Sequence, residues 1–143
     1  YRHPLTHRPL DIVLIDMPPS DSLLPMAGLT IADGILGVGT LDAESRDGLF
    51  DLAANVRDRV RAFKPDVGFD AVILNRTMIT RTLDKQMLEG YIAGFGAFLV
   101  PELVTEATAI KSAMSEHSSL FAPHPNRGVY EGRLRGYESF CRV

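Results

Sequence analysis

Apolar positions along the chain fall into two alternating patterns. Short unbroken runs read as strands buried on both faces. They are Ile12–Ile15 between Asp11 and Asp16, Gly34–Gly39, Asp70–Asn75, and Ala97–Val100, which Pro101 closes. Between them, apolar residues recur at spacings of three and four, the period of a helix with one packed face. The first such helix is capped by Ser20 or Asp21 and runs to about Ile31, carrying Leu23, Leu24, Met26, Ala27 and Leu29. The clearest runs from Ser45 to Phe63, with Leu49, Leu52, Ala53, Val56, Val60 and Phe63 on one side, and Lys64-Pro65-Asp66 breaks it. Thr82 caps a third helix that reaches Phe95. Helices over 105–115 and 126–140 follow, separated by a polar stretch with Pro123 and Pro125. Residues 1–10 form an extended lead-in. Strand and helix alternate throughout, which predicts a single α/β domain over 1–143, a mostly parallel sheet flanked by helices.

Composition narrows the classes without choosing among them. Of 143 residues, 45% are hydrophobic and 23% charged, the balance of a folded globular chain rather than a disordered one. A net charge of −3 gives no global attraction to nucleic acid, so any DNA contact needs a local basic patch. Cys141 is the only cysteine, which excludes an intrachain disulfide and a thiolate metal cluster and fits a reducing cytoplasm. No apolar run approaches the ~20 residues of a membrane span, and the first residues lack the apolar core of a signal peptide. His3 and His7 sit four apart, but Pro4 between them disfavours the helix that would make a ligand pair. His117 and His124 lack partners at ligand spacing and read as polar loop residues, and Tyr91 reads as a packing residue.

The candidate chemistry gathers at Asp16. Ligands of open α/β sheets bind at the carboxyl ends of strands, where this carboxylate falls, and Pro18 and Pro19 make the turn after it stiff and extended. The string Asp11-Ile-Val-Leu-Ile-Asp16-Met-Pro-Pro-Ser20 resembles the Walker B and switch II segment of the ParA/MinD family of deviant Walker ATPases. The likeness continues through Ala32-Asp33 before a strand, Glu44 and Gly48-Leu49 opening the long helix, Asn75-Arg76 after a strand, and Val100-Pro101-Glu102. It implies a partial P-loop NTPase fold in which Asp16 holds Mg²⁺ through water and Pro18, Pro19 and Ser20 sense a γ-phosphate. Asn75 and Arg76 would face the adenine of ATP and Pro101 would flank it. Asn75 alone reads equally well as a loop amide that satisfies its own backbone. Basic residues near the C-terminal helices, Lys111, Arg127, Arg133 and Arg135, would touch DNA.

The family's glycine-rich phosphate loop, with its lysine, does not occur in these residues, nor does its switch I aspartate. Without those amides and that lysine, Asp16 meets a polyphosphate with like charge and no clamp, so this chain alone is not expected to hydrolyse ATP. The reading is the C-terminal part of a ParA-like ATPase of plasmid or chromosome partitioning. The complete protein would be a cytoplasmic, nucleoid-associated homodimer that binds DNA non-specifically and answers to a partition adaptor, without integral membrane association. In the family the strand that leads to the phosphate loop lies beside the Walker B strand, so its loss would bare a hydrophobic sheet edge. Two alternatives stand: a pseudo-ATPase without the loop that acts as a protein-binding module, and a MinD-like membrane-associated ATPase.

Overall fold

A computed structural model describes residues 2–18, 22–78, 82–106, 108–119, 122, 128, 129 and 131. Its elements are α1 (Leu23–Ile31), β1 (Ile35–Gly39), α2 (Ala43–Asp58), β2 (Phe69–Leu74), α3 (Thr82–Phe95) and α4 (Thr108–Ser115). Short 3-10 turns follow α2 at Val60–Ala62 and α3 at Gly96–Phe98. The expected helix over 126–140 lies outside the described residues, apart from three positions.

The strands β1 and β2 pair in parallel, with Leu36 opposite Ala71 and Gly39 opposite Leu74. Ile35 is opposite Phe69, so Asp70 is bulged out of the ladder. Its carboxylate fills the space beside Gly34, where a Cβ would lie 1.6 Å from an Asp70 oxygen. Parallel strands need a long crossover, and α2 provides it. The architecture is α/β, a two-stranded parallel sheet flanked by helices, compatible with part of a P-loop NTPase fold.

Alternation along the strands decides which face is covered. Ile35, Gly37 and Gly39 are buried while Leu36 and Val38 are exposed, because α2 packs on the first set. The missing side chains of Gly37 and Gly39 let Leu49 of α2 rest directly on the strand. Two hydrophobic clusters result. Leu49, Val72, Leu74, Tyr91 and Phe95 form one, between the sheet and helices α2 and α3. Leu29, Ile35, Val56, Val60 and Val67 form the other, with Met17 and Met26 packed against it, and it holds α1.

The structure corrects two predicted strands. Asp11–Asp16 joins no ladder, and Ile12 and Leu14 are 78% and 90% exposed. Only Met17 of this stretch reaches the core, its sulfur lying over Gly28 of α1. A parallel strand is stable when neighbours pair both edges and helices cover both faces. Among the described residues nothing offers this run a ladder, so its composition alone does not make it a strand. The second correction is Ala97–Val100. Residues 96–98 turn as a 3-10 helix, and the extended segment is Leu99–Thr105, which meets β2 through an isolated parallel bridge at Val72–Leu99 and the residues after β2 through another at Thr77–Thr105. The Val100 amide bonds to the Val72 carbonyl and the Val104 amide to the Leu74 carbonyl, so four residues span what two span on β2. Pro101 has no amide to donate and sits in the surplus, which bows outward and exposes Pro101 and Glu102.

Helix boundaries shift by a few residues for local reasons. The long helix begins at Ala43 rather than Ser45, because Asp42 caps it by accepting a hydrogen bond from the Ser45 amide at 2.8 Å. It gives way after Asp58 to the 3-10 turn, so Val60 and Phe63 belong to the turn, not to the helix proper. Ser22 is the N-cap of α1, while Ser20 and Asp21 lie outside the described residues. The last described helix starts at Thr108 instead of Thr105, which is held in the bridge to Thr77.

Candidate functional site

The carboxyl ends of β1 and β2 open on one side into a cleft of about 300 Å³. Thr40, Leu41 and Asp42 line it from the turn after β1, Arg76 and Met78 from the segment after β2, Asp84 from α3 and Glu106 from the end of the third extended segment. This is where parallel α/β sheets place ligands.

Each wall has a local cause. The Thr40 amide donates to Ser45 Oγ at 2.9 Å, and the Tyr91 hydroxyl donates to the Thr40 carbonyl at 3.0 Å. The Thr40 hydroxyl donates to the Asp42 carboxylate, whose other oxygen caps α2. The Thr40 hydroxyl first, then the Ser45 amide, hold the Asp42 carboxyl below the ordinary carboxylate value. On the other wall the Asn75 amide donates to the Gly39 carbonyl at 2.7 Å, continuing the ladder past β2. Asn75 Oδ1 accepts the Arg76 amide at 2.9 Å, and Arg76 adopts φ of 53°, a left-handed conformation uncommon for a side chain of this size. Thr77, 2% exposed, donates its hydroxyl to the Val104 carbonyl and anchors the strand end beneath. Glu106 pairs with Lys111, and that hydrogen bond, with a smaller contribution from Arg76, holds its carboxyl low.

Asp42 carries a stability prediction. Its carboxyl is lower in the folded chain than the ordinary 3.8, so its stabilisation is present above about pH 4 and is lost as pH falls through the folded value. Asp42→Ala is expected to lower stability at pH 7 by about 1 kcal/mol. The gap between wild type and variant should narrow as pH falls below the ordinary carboxylate value of 3.8, as urea unfolding over a series of acid pH values would show.

Of the residues singled out from sequence, Arg76 lines the cleft and Asn75 shapes its wall. Pro101 lies exposed on the bowed segment, and Lys111 is engaged by Glu106. Asp16 and Pro18 are exposed on the unpaired segment and do not line the cleft. Pro19, Ser20, Arg127, Arg133 and Arg135 lie outside the described residues. Sequence reasoning missed Asp42, Asp84, Glu106 and the Tyr91 hydroxyl. The Asp42-Ala-Glu-Ser45 run is a capping signal that could have shown the first; Asp84 and Glu106 reach the cleft only through tertiary packing.

The cleft does not fit a triphosphate by itself. Asp42 and Asp84 stand with the guanidinium of Arg76, while the third carboxylate, Glu106, is paired with Lys111, so the lining has no surplus of positive charge for a phosphate chain. Among the described residues no group of His, Cys, Asp and Glu is arranged to hold a metal ion. No described helix is long and apolar enough to cross a membrane.

No protein-family model matches the chain. Over 116 residues it is 27% identical to the cell division protein PomZ of Myxococcus xanthus, a match that covers 81% of this chain and 36% of that protein. The chain therefore spans about a third of the length of that relative. The identity supports a distant relationship to the ParA family.

Proposed function

We propose that this chain is the C-terminal part of a ParA-like ATPase domain whose phosphate-binding half is supplied by protein outside these residues. The string Asp16-Met-Pro-Pro-Ser20 carries the reading, and the distant likeness to PomZ supports it. In the complete protein Asp16 would hold Mg²⁺ through water, Asn75, Arg76 and Pro101 would border the adenine of ATP, and Pro18, Pro19 and Ser20 would respond to the γ-phosphate. ATP-dependent homodimerisation, non-specific DNA binding through Lys111, Arg127, Arg133 and Arg135, and an adaptor that stimulates turnover complete the proposal, with action in partitioning or division.

The test uses a protein extended upstream of Tyr1 by its own coding sequence. Sedimentation should show a dimer with Mg-ATP and a monomer with Mg-ADP, and DNA retardation should appear with the dimer and weaken as salt rises. A nucleotide-indifferent monomer that ignores DNA would refute the proposal. One observation favours a second reading, a protein-binding module without nucleotide: Leu36 and Val38 of β1 are 57% and 56% exposed, as on a docking surface. A stable heteromeric complex of an extended protein that binds no nucleotide would select that reading.

A further inference from the structure

Tyr91 lies wholly buried, yet its ring accounts for only part of its contacts. The ring packs with Phe95 at a centroid separation of 6.2 Å, while the hydroxyl leaves the apolar cluster and donates to the carbonyl of Thr40, 51 positions away in sequence. Gly39 makes that approach possible, since a Cβ there would lie 2.9 Å from the Tyr91 hydroxyl and 3.3 Å from Ser45 Oγ. Thr40 is thus held on both sides of its Cα, its amide by the first turn of α2 and its carbonyl by α3. Thr40 and Asp42 form one wall of the cleft, and α3 also contributes Asp84 to it.

We infer that Tyr91 is a positioning residue for the cleft, its hydroxyl latching the turn after β1 to α3 so that both contributions to the site move as one unit. Its importance for a ligand rests on the function proposed above, whereas the latch itself is a property of the unliganded chain. A packing role would need only the ring, and phenylalanine would serve. The latch needs the oxygen, because the part-buried Thr40 carbonyl loses this donor when that oxygen goes. A free turn would sample several conformations and reduce affinity by the fraction of time spent in the wrong ones.

The experiment is amide hydrogen exchange on the full chain without nucleotide, comparing wild type with Tyr91→Phe. Protection of the Thr40 and Ser45 amides should fall about three- to tenfold, while that of the Val100 and Val104 amides, which bond to the Val72 and Leu74 carbonyls of β2, is retained. Gly39→Ala, whose methyl group would press on Leu49 as well as on the hydroxyl, should lose protection at the same two amides beyond any loss at Val100 and Val104. Phe95→Leu, a packing change, should lower all four together. Unchanged protection at Thr40 and Ser45 in Tyr91→Phe, or a uniform loss across the four amides, would overturn the latch. Neither result bears on whether the complete protein binds ATP.

Discussion

Replacing Leu74 by alanine will lower the free energy of unfolding by about 2–5 kcal/mol. Leu74 is fully buried in the cluster with Leu49, Val72, Tyr91 and Phe95, and partly buried Leu88, Leu99 and Leu103 close around it. Truncation removes the transfer energy of its side chain and leaves a cavity that strands and helices on three sides cannot collapse into. A domain of ordinary stability has roughly 5–15 kcal/mol in total, and a two-stranded sheet sits toward the low end. Urea unfolding followed by circular dichroism should therefore show a midpoint shifted down by a large fraction of its value. Leu36→Ala on the neighbouring strand should change it by less than about 0.5 kcal/mol, because Leu36 faces outward and touches no cluster. Equal losses at the two sites would mean that the covered face of the sheet has been assigned wrongly.

The second large effect concerns association. The strand β1 pairs with β2 on one side, and Ile35–Gly39 contains no charge or proline of the kind that guards sheet edges. Leu36 and Val38 lie on its uncovered face, and Ile12, Val13, Leu14 and Ile15 add more exposed apolar surface. Chains of this kind should self-associate in a concentration-dependent way. Replacing both Leu36 and Val38 by lysine puts like charges on that face, and sedimentation should then show a shift to monomer of tenfold or more in midpoint concentration. Because neither side chain belongs to a cluster, the folded content should hold. A wild-type chain that stays monomeric at high concentration would contradict the expectation.

The sequence carried the parts of the fold that depend on near neighbours. The runs at Gly34–Gly39 and Asp70–Asn75 became β1 and β2 because each finds a parallel partner in the other, and the long helix formed because its apolar face meets Gly37 and Gly39. The run Ile12–Ile15 has an even stronger strand composition and joins no ladder. Composition sets what a segment prefers, but a buried parallel strand is made by its neighbours, and a neighbour is what Ile12–Ile15 lacks among the described residues.

For the cleft, the signals were of different kinds. Asn75 was legible as the polar end of an apolar run and Arg76 only through the resemblance, and the structure gives Asn75 the local backbone bond that was one of its two readings. Asp84 and Glu106 carry no local signature, since they meet at the strand ends only after α3 and the bowed segment around Pro101 have packed. Tyr91 was legible as a packing residue and illegible as a hydrogen-bond donor, because its acceptor is a backbone carbonyl that no pattern marks.

In the function proposed above, Asp16 would hold the Mg²⁺ of a nucleotide whose base the strand-end cleft borders and whose phosphate cradle comes from outside these residues. Calorimetric titration with Mg-ATP tests it most directly, on the chain starting at Tyr1 and on a protein extended upstream by its own coding sequence. Binding no tighter than about 1 mM is expected for the first, micromolar binding for the second, and at least about a tenfold loss in the second when Asp16→Ala is introduced. Micromolar binding by the short chain, or an extended protein whose affinity ignores Asp16, would contradict it.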